Sequence, residues 1–193
     1  MRTRLRRLHI KKLLRLARNE NIDLWSLDEC HFQQHGSRCV MWVPPEDKDP
    51  VTRHAPTRKS IAMFGAVNVR TGRLVTMLSP IFNAETFEHF LHKLIRHRSK
   101  SRRIVVILDN ARYHHASMLA DFLQDHRSHF RLDFLPPYSP ELNSIERVWK
   151  LLRKLCLHNQ YFESLDDLVC SVSHQVDLWS CSNQVLHKLC RVI

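Results

Sequence analysis

The chain has 193 residues, enough for one domain with a sizeable core and few for two. Hydrophobic residues make up 44%, which excludes a disordered chain, and no apolar run is long enough to span a bilayer. Lys and Arg outnumber Asp and Glu by 30 to 19, and the net charge of +11 favours a polyanionic partner, either nucleic acid or an anionic membrane surface.

Residues 1–20 hold eight basic side chains and one acid, Glu20. Residues 2–18 interleave these with Leu5, Leu8, Ile10, Leu13, Leu14, Leu16 and Ala17, which predicts a basic amphipathic helix. This start has no apolar signal core and is only weakly similar to an organelle transit peptide, so a cytoplasmic location is expected. Leu24–Asp28 is a short apolar segment ending in an acid, a strand. Residues 33–59 contain Pro44, Pro45, Pro50 and Pro56 and are loop around one expected strand, Cys39–Val43. Ile61–Val69 and Leu74–Ile81 flank Arg70-Thr71-Gly72-Arg73 and predict a β-hairpin. Ala84–Arg98 places Phe87, Phe90, Leu91, Leu94 and Ile95 at helical spacing. Ile104–Leu108 is a buried strand expected to run parallel to a neighbour. A helix is expected at His114–Gln124, a strand at Phe130–Leu135, and a helix from about Ser139–Asn143 to about His158. One or two more helices are expected in Ser164–Val192. Antiparallel strands first and β/α units afterwards imply an α/β fold, a mixed sheet with helices on both faces.

Two further basic clusters stand out: Arg96, Arg98, Lys100, Arg102 and Arg103, then Arg147, Lys150, Arg153 and Lys154. Any one could be a solvated face; three at this net charge favour nucleic acid. Six cysteines (30, 39, 156, 170, 181, 190) form no CxxC pair and are read as reduced thiols. Three glycines cannot build a phosphate-cradling loop, and no nucleophile elbow is present.

Asp28 and Asp109 each close a predicted strand, and Glu146 opens a predicted helix. Chemistry in an open α/β sheet sits beyond the strand ends, where three such acids can meet. Carboxylate oxygens suit a hard divalent ion such as Mg²⁺. Each acid also has an ordinary structural role available. Asp109-Asn110 could form a turn or cap. Glu146 could complete a capping box with Asn143 or pair with Lys150.

The flanking residues decide. Leu27-Asp28-Glu29, Leu108-Asp109-Asn110-Ala111-Arg112-Tyr113-His114 and the long block from Leu135-Pro136-Pro137-Tyr138-Ser139-Pro140-Glu141-Leu142-Asn143-Ser144 to Ile145-Glu146-Arg147-Val148-Trp149-Lys150 resemble the signature blocks of the mariner superfamily of DDE transposases, most closely its bacterial insertion-sequence branch. Residues 110–145 separate the second acid from the third, a spacing close to that of the group. The resemblance implies an RNase H-like five-stranded mixed sheet over residues 22–160, a basic helical linker at 1–21 and a helical extension at 161–193. It implies Asp28, Asp109 and Glu146 as catalytic metal ligands, two Mg²⁺ or Mn²⁺ ions, and cut-and-paste cleavage and strand transfer on double-stranded DNA, both transposon ends and target. Asn110, Arg112, His114, Arg147, Lys150 and Arg153 are candidate DNA contacts. Glu141 falls on an acidic motif position that is not a ligand, and Ser144 stands where the family commonly has Pro. A homodimer on paired ends and a nucleoid location in a bacterium follow by the same analogy.

Family members usually carry helix-turn-helix modules before the first Asp, whereas 27 residues precede Asp28. A split transposase with a separate helix-turn-helix frame, or a truncated remnant, is therefore expected. The rival functional reading is an inactive DNA-binding remnant or regulator. Cys30, His31, His35 and Cys39 carry zinc-type ligands, but adjacent Cys30 and His31 point to opposite faces of a strand, which argues against a shared ion. His114 and His115 are read as DNA contacts or helix surface, and Trp25, Trp42, Trp149 and Trp179 as core.

Overall fold

A computed structural model describes residues 2–40, 42–46, 51, 53, 55–137 and 139–191, with side chains from Arg6 onward. Met41 of the expected Cys39–Val43 strand, Pro50, Tyr138 of the third motif block and Val192 lie outside the described residues.

Strands β1 (Ile22–Gln33), β2 (Ser60–Asn68), β3 (Leu74–Leu78), β4 (Arg103–Leu108) and β5 (Phe130–Phe134) make one sheet in the order β3-β2-β1-β4-β5. β2 pairs antiparallel with β1 and β3, while β4 runs parallel to β1 and β5. This is the expected mixed five-stranded sheet. The β2–β3 turn forms because Gly72 takes φ +68°, and the Asn68 side chain accepts from the main chain of Arg70 and Thr71.

Helix α1 spans Arg2–Arg18, α2 Ala84–Ile95, α3 Ala120–Asp125, α4 Ile145–Cys156, α5 Leu165–Asp177 and α6 Gln184–Cys190. A reciprocal capping box between Asn83 and Thr86 starts α2. Its Phe87, Phe90, Leu91 and Leu94 are wholly buried against Trp25, Leu27, Phe64 and Ala66. Each such side chain contributes about 1.5–3 kcal/mol by leaving water. On the opposite face α4, α5 and α6 cover Cys30, Phe32, Met63 and Val67. Beside them α1 seats Leu13 and Leu16 on Leu24, Val105 and Ile107, and Lys12 pairs with Asp133 of β5. Helices thus cover both faces of the sheet.

Three expectations need correction. β1 continues past Asp28 to Gln33, because its second half pairs with β2 after β4 has ended. The described residues of Cys39–Val43 form no strand; Cys39 hydrogen-bonds the Asn159 side chain instead, and Trp42 is exposed rather than core. The helix expected at His114–Gln124 is two 3₁₀ turns, Arg112–His115 and Ser117–Leu119, followed by α3, because Ala116 between the turns is extended.

Candidate active site

Side chains alternate along β1, so Ser26, Asp28 and Cys30 share the face covered by α4, while Leu27 and Glu29 share the face covered by α2. β4 pairs with β1 as far as Ser26↔Ile107. Two residues further in that register bring Asp28 level with Asp109, the first residue after β4.

Glu146 lies in the first turn of α4, and two contacts set that helix against β1. Asn143, buried just before α4, accepts from the Ser26 hydroxyl and donates to the Leu27 carbonyl at 2.8 Å. Ser26 Oγ in turn accepts from the Ile145 amide at 3.3 Å. The second contact is a close approach. Gly65 of β2 sits opposite Asp28, and a Cβ there would come within 2.3 Å of the Trp149 ring. Glycine lets Trp149 lie on the strand, which places Glu146, three residues earlier on the same helix, over Asp28. Asn143 spends its side chain on β1 and makes no cap, so the capping-box role for Glu146 is not realised.

The acids act on one another. Asp28 is pushed up from 3.8 to about 8, first by burial and then by the charges of Glu29, Glu146 and Asp109, against an opposing hydrogen bond from the Glu29 main chain. Asp109 is more open, and its Oδ1 accepts from the Ala111 amide at 3.0 Å, so the turn role exists alongside any other. Carboxylates gathered until they suppress ionisation fit a hard divalent cation, which offsets their repulsion and takes oxygen donors.

Among the described residues, the one group of three donors with all ligand atoms within 4.8 Å of one another is Glu29, Asp109 and His114. Glu29 carries no mark of its own in the sequence. Strand alternation places it opposite Asp28, but nothing local signals a partner 85 residues away. Ser26, Gly65 and the Asn143 tie were missed for the same reason.

The candidate DNA contacts divide. Arg112 and Lys150 are exposed. Arg147, half-buried, joins Arg6, Lys150 and Glu146 around a cavity of about 670 Å³ between α1 and α4. Asn110 donates its amide to the Leu135 carbonyl. Arg153 turns onto β1, donating to Cys30 Sγ at 2.7 Å and lying 5.7 Å over the Phe32 ring. Burial pushes the Cys30 thiol up to about 12 despite that guanidinium. His114 is 2% exposed and both ring nitrogens face carboxylates. His115 stacks on Phe134 at 4.2 Å from the surface. Of the Cys/His group, Cys30 is buried and Cys39 exposed, while His31 packs on Phe82.

Residues 23–169, which include all three acids, match the family model described as DDE superfamily endonuclease. The chain belongs to the DDE superfamily endonucleases. An uncharacterized protein of Sinorhizobium fredii, y4pE/y4sA, is 36% identical over 107 residues, 55% of this endonuclease and 76% of that protein. An uncharacterized 39 kDa protein of insertion element IS630 from Shigella sonnei is 26% identical over 112 residues, 58% of this chain and 32% of that one. The fold is that of transposase catalytic domains. It matches a pre-cleavage Mos1 transpososome with TM-score 0.68 at 18% identity, over 98% of this chain and 57% of that one. It matches the isolated catalytic domain of Mos1 mariner transposase with TM-score 0.58 at 16% identity, over 95% and 82%. This endonuclease therefore spans little more than half of the longer Mos1 chain and about a third of the IS630 protein. Among its described residues, no helix is long and apolar enough to cross a membrane.

Proposed function

We propose that this chain is the catalytic domain of a bacterial insertion-element transposase, which cleaves DNA at transposon ends and joins the freed end to target DNA. Asp28, Asp109 and Glu146 are its catalytic acids and hold two Mg²⁺ or Mn²⁺ ions. The observation that carries this reading is the gathering of acids around Asp28, whose carboxyl is raised to about 8 first by burial and then by the charges of Glu29, Glu146 and Asp109. Acids from two strands and a helix converge closely enough to resist ionising together. The solved Mos1 paired-end complexes with Mn and with Mg have the same fold, which supports the choice of ions.

Bound divalent ions at such a site activate an attacking water or 3′-hydroxyl and stabilise the leaving oxygen. The protein's share is placement. Asp28 stands on β1 and Asp109 just past the end of the neighbouring β4, and the Gly65–Trp149 and Asn143–Ser26 contacts set the helix that carries Glu146 against β1 and β2. Asn110, Arg112, Arg147 and Lys150 flank the acids and serve backbone phosphates, with the net +11 charge supplying salt-dependent attraction. Residues 22–160 are the catalytic unit, flanked by the basic helix 1–21 and the helical extension 161–193. Choice of the terminal repeat belongs to a helix-turn-helix module. The enzyme works as a homodimer on paired ends, in the bacterial cytoplasm at the nucleoid.

A strand-nicking and joining assay on terminal-repeat DNA, with the helix-turn-helix partner supplied, tests this. Cleavage should require Mg²⁺ or Mn²⁺, and Asp109→Ala should abolish it. Activity surviving in Asp109→Ala would refute the mechanism, and no metal-dependent cleavage by the wild type would favour a DNA-binding regulator.

A further inference from the structure

His114 is buried five residues after Asp109, wedged between the rings of Phe87 at 4.4 Å and Tyr113 at 4.5 Å. Its Nδ1 lies 3.2 Å from Asp109 Oδ1 and 3.3 Å from the Asp109 carbonyl oxygen. Its Nε2 lies 3.1 Å from Glu29 Oε1. Glu29 is itself held by the Tyr113 hydroxyl; burial, then the charge and hydrogen bond of Glu29, push that phenol far up.

We infer that His114 is a positioning residue, which fixes the Asp109 carboxylate by tying it through Glu29 to β1, the strand that carries Asp28. This rests on the reading of Asp109 as a metal ligand. Asp109 follows the end of β4 with its side chain 57% exposed, and a free carboxylate there would sample several rotamers. The contacts from His114 and the Ala111 amide both fall on Oδ1, so they orient the group without using Oδ2. Partners outside the ligand shell that hold a ligand still are worth about 10–100-fold in metal affinity.

The donor spacing of Glu29, Asp109 and His114 would also suit one metal ion at that trio. The ring decides between the two. A metal takes one imidazole nitrogen, whereas here each nitrogen faces a different carboxylate, so the ring spans two acids rather than joining them at a common centre. The packing of Phe87 and Tyr113 on the ring holds that span in place.

The test is Mn²⁺ affinity of the 193-residue chain by isothermal titration calorimetry, for the wild type, His114→Asn, His114→Gln and Asp109→Asn. Asn keeps a donor near the Nδ1 position, facing Asp109; Gln keeps one near Nε2, facing Glu29. His114→Gln should weaken Mn²⁺ binding by about 10–100-fold, and His114→Asn, which keeps the Asp109 contact and loses the Glu29 end of the link, by about threefold. Equal affinities for these two variants, at any level, would overturn the inference, because a packing role does not distinguish the nitrogens. If either variant fails to fold, Tyr113→Phe probes the same chain from its far end: a rise in Kd of about threefold supports it, and the wild-type value overturns it. Asp109→Asn separates the two levels, since undiminished Mn²⁺ binding there would sink the metal site itself.

Discussion

At Asp28, folding opposes ionisation. Burial and three neighbouring carboxylates hold it at about 8 against an ordinary 3.8. With the folded-state value above the unfolded one, this group's contribution to stability is fully present below about pH 4 and is lost as pH rises through about 8. Asp28→Asn removes the ionisation while keeping the shape. In metal-free thermal melts, variant and wild type should match below about pH 4, and the variant should melt higher at pH 9. Equal melting at pH 9 would show that the acids do not strain the fold. A site kept for chemistry at the expense of stability is expected to behave in this way. That Asp28, Asp109 and Glu146 come together was legible in the sequence through the motif blocks around them. The Glu29–His114 link was not, because it depends on how the turn after β4 folds back, which no periodicity encodes.

Among the elements, α4 matters most, because its height over β1 and β2 sets Glu146. Gly65→Ala would drive a methyl into Trp149, at an expected cost of about 1–3 kcal/mol from overpacking. Urea unfolding should register that loss, and nicking should fall further than the unfolded fraction explains, since Glu146 moves with the helix. Wild-type nicking in a destabilised variant would show that the Trp149 seat does not place Glu146. The sequence made most elements legible: five strands and the main helices follow from apolar runs and periodicity. Its limits are physical. Asp28, Glu29 and His31 interrupt the apolar run of β1, so the apolar pattern stops where pairing with β2 carries the strand on. Ala116 breaks the helix expected after Asp109, and that break turns His114 inward. Trp42 is exposed because the segment around it pairs with no strand among the described residues.

Across the whole molecule, two cores on opposite faces clamp one sheet, and the acids gather where β4 stops pairing with β1. The α4 side supplies Glu146, and the α2 side supplies the buried histidine that holds Asp109 from behind. The net charge of +11 suits a polyanionic partner for the molecule that carries this acidic focus. Neither face makes the site alone, which is why the motif blocks lie so far apart in the chain. The most direct test of this account is anomalous scattering from crystals of the chain soaked in Mn²⁺. The account predicts density ligated by carboxylate oxygens of Asp28, Asp109 and Glu146, with both His114 nitrogens outside the coordination shell. Mn²⁺ bound instead by Glu29, Asp109 and a His114 nitrogen, or none beside Asp28 and Glu146, would contradict it.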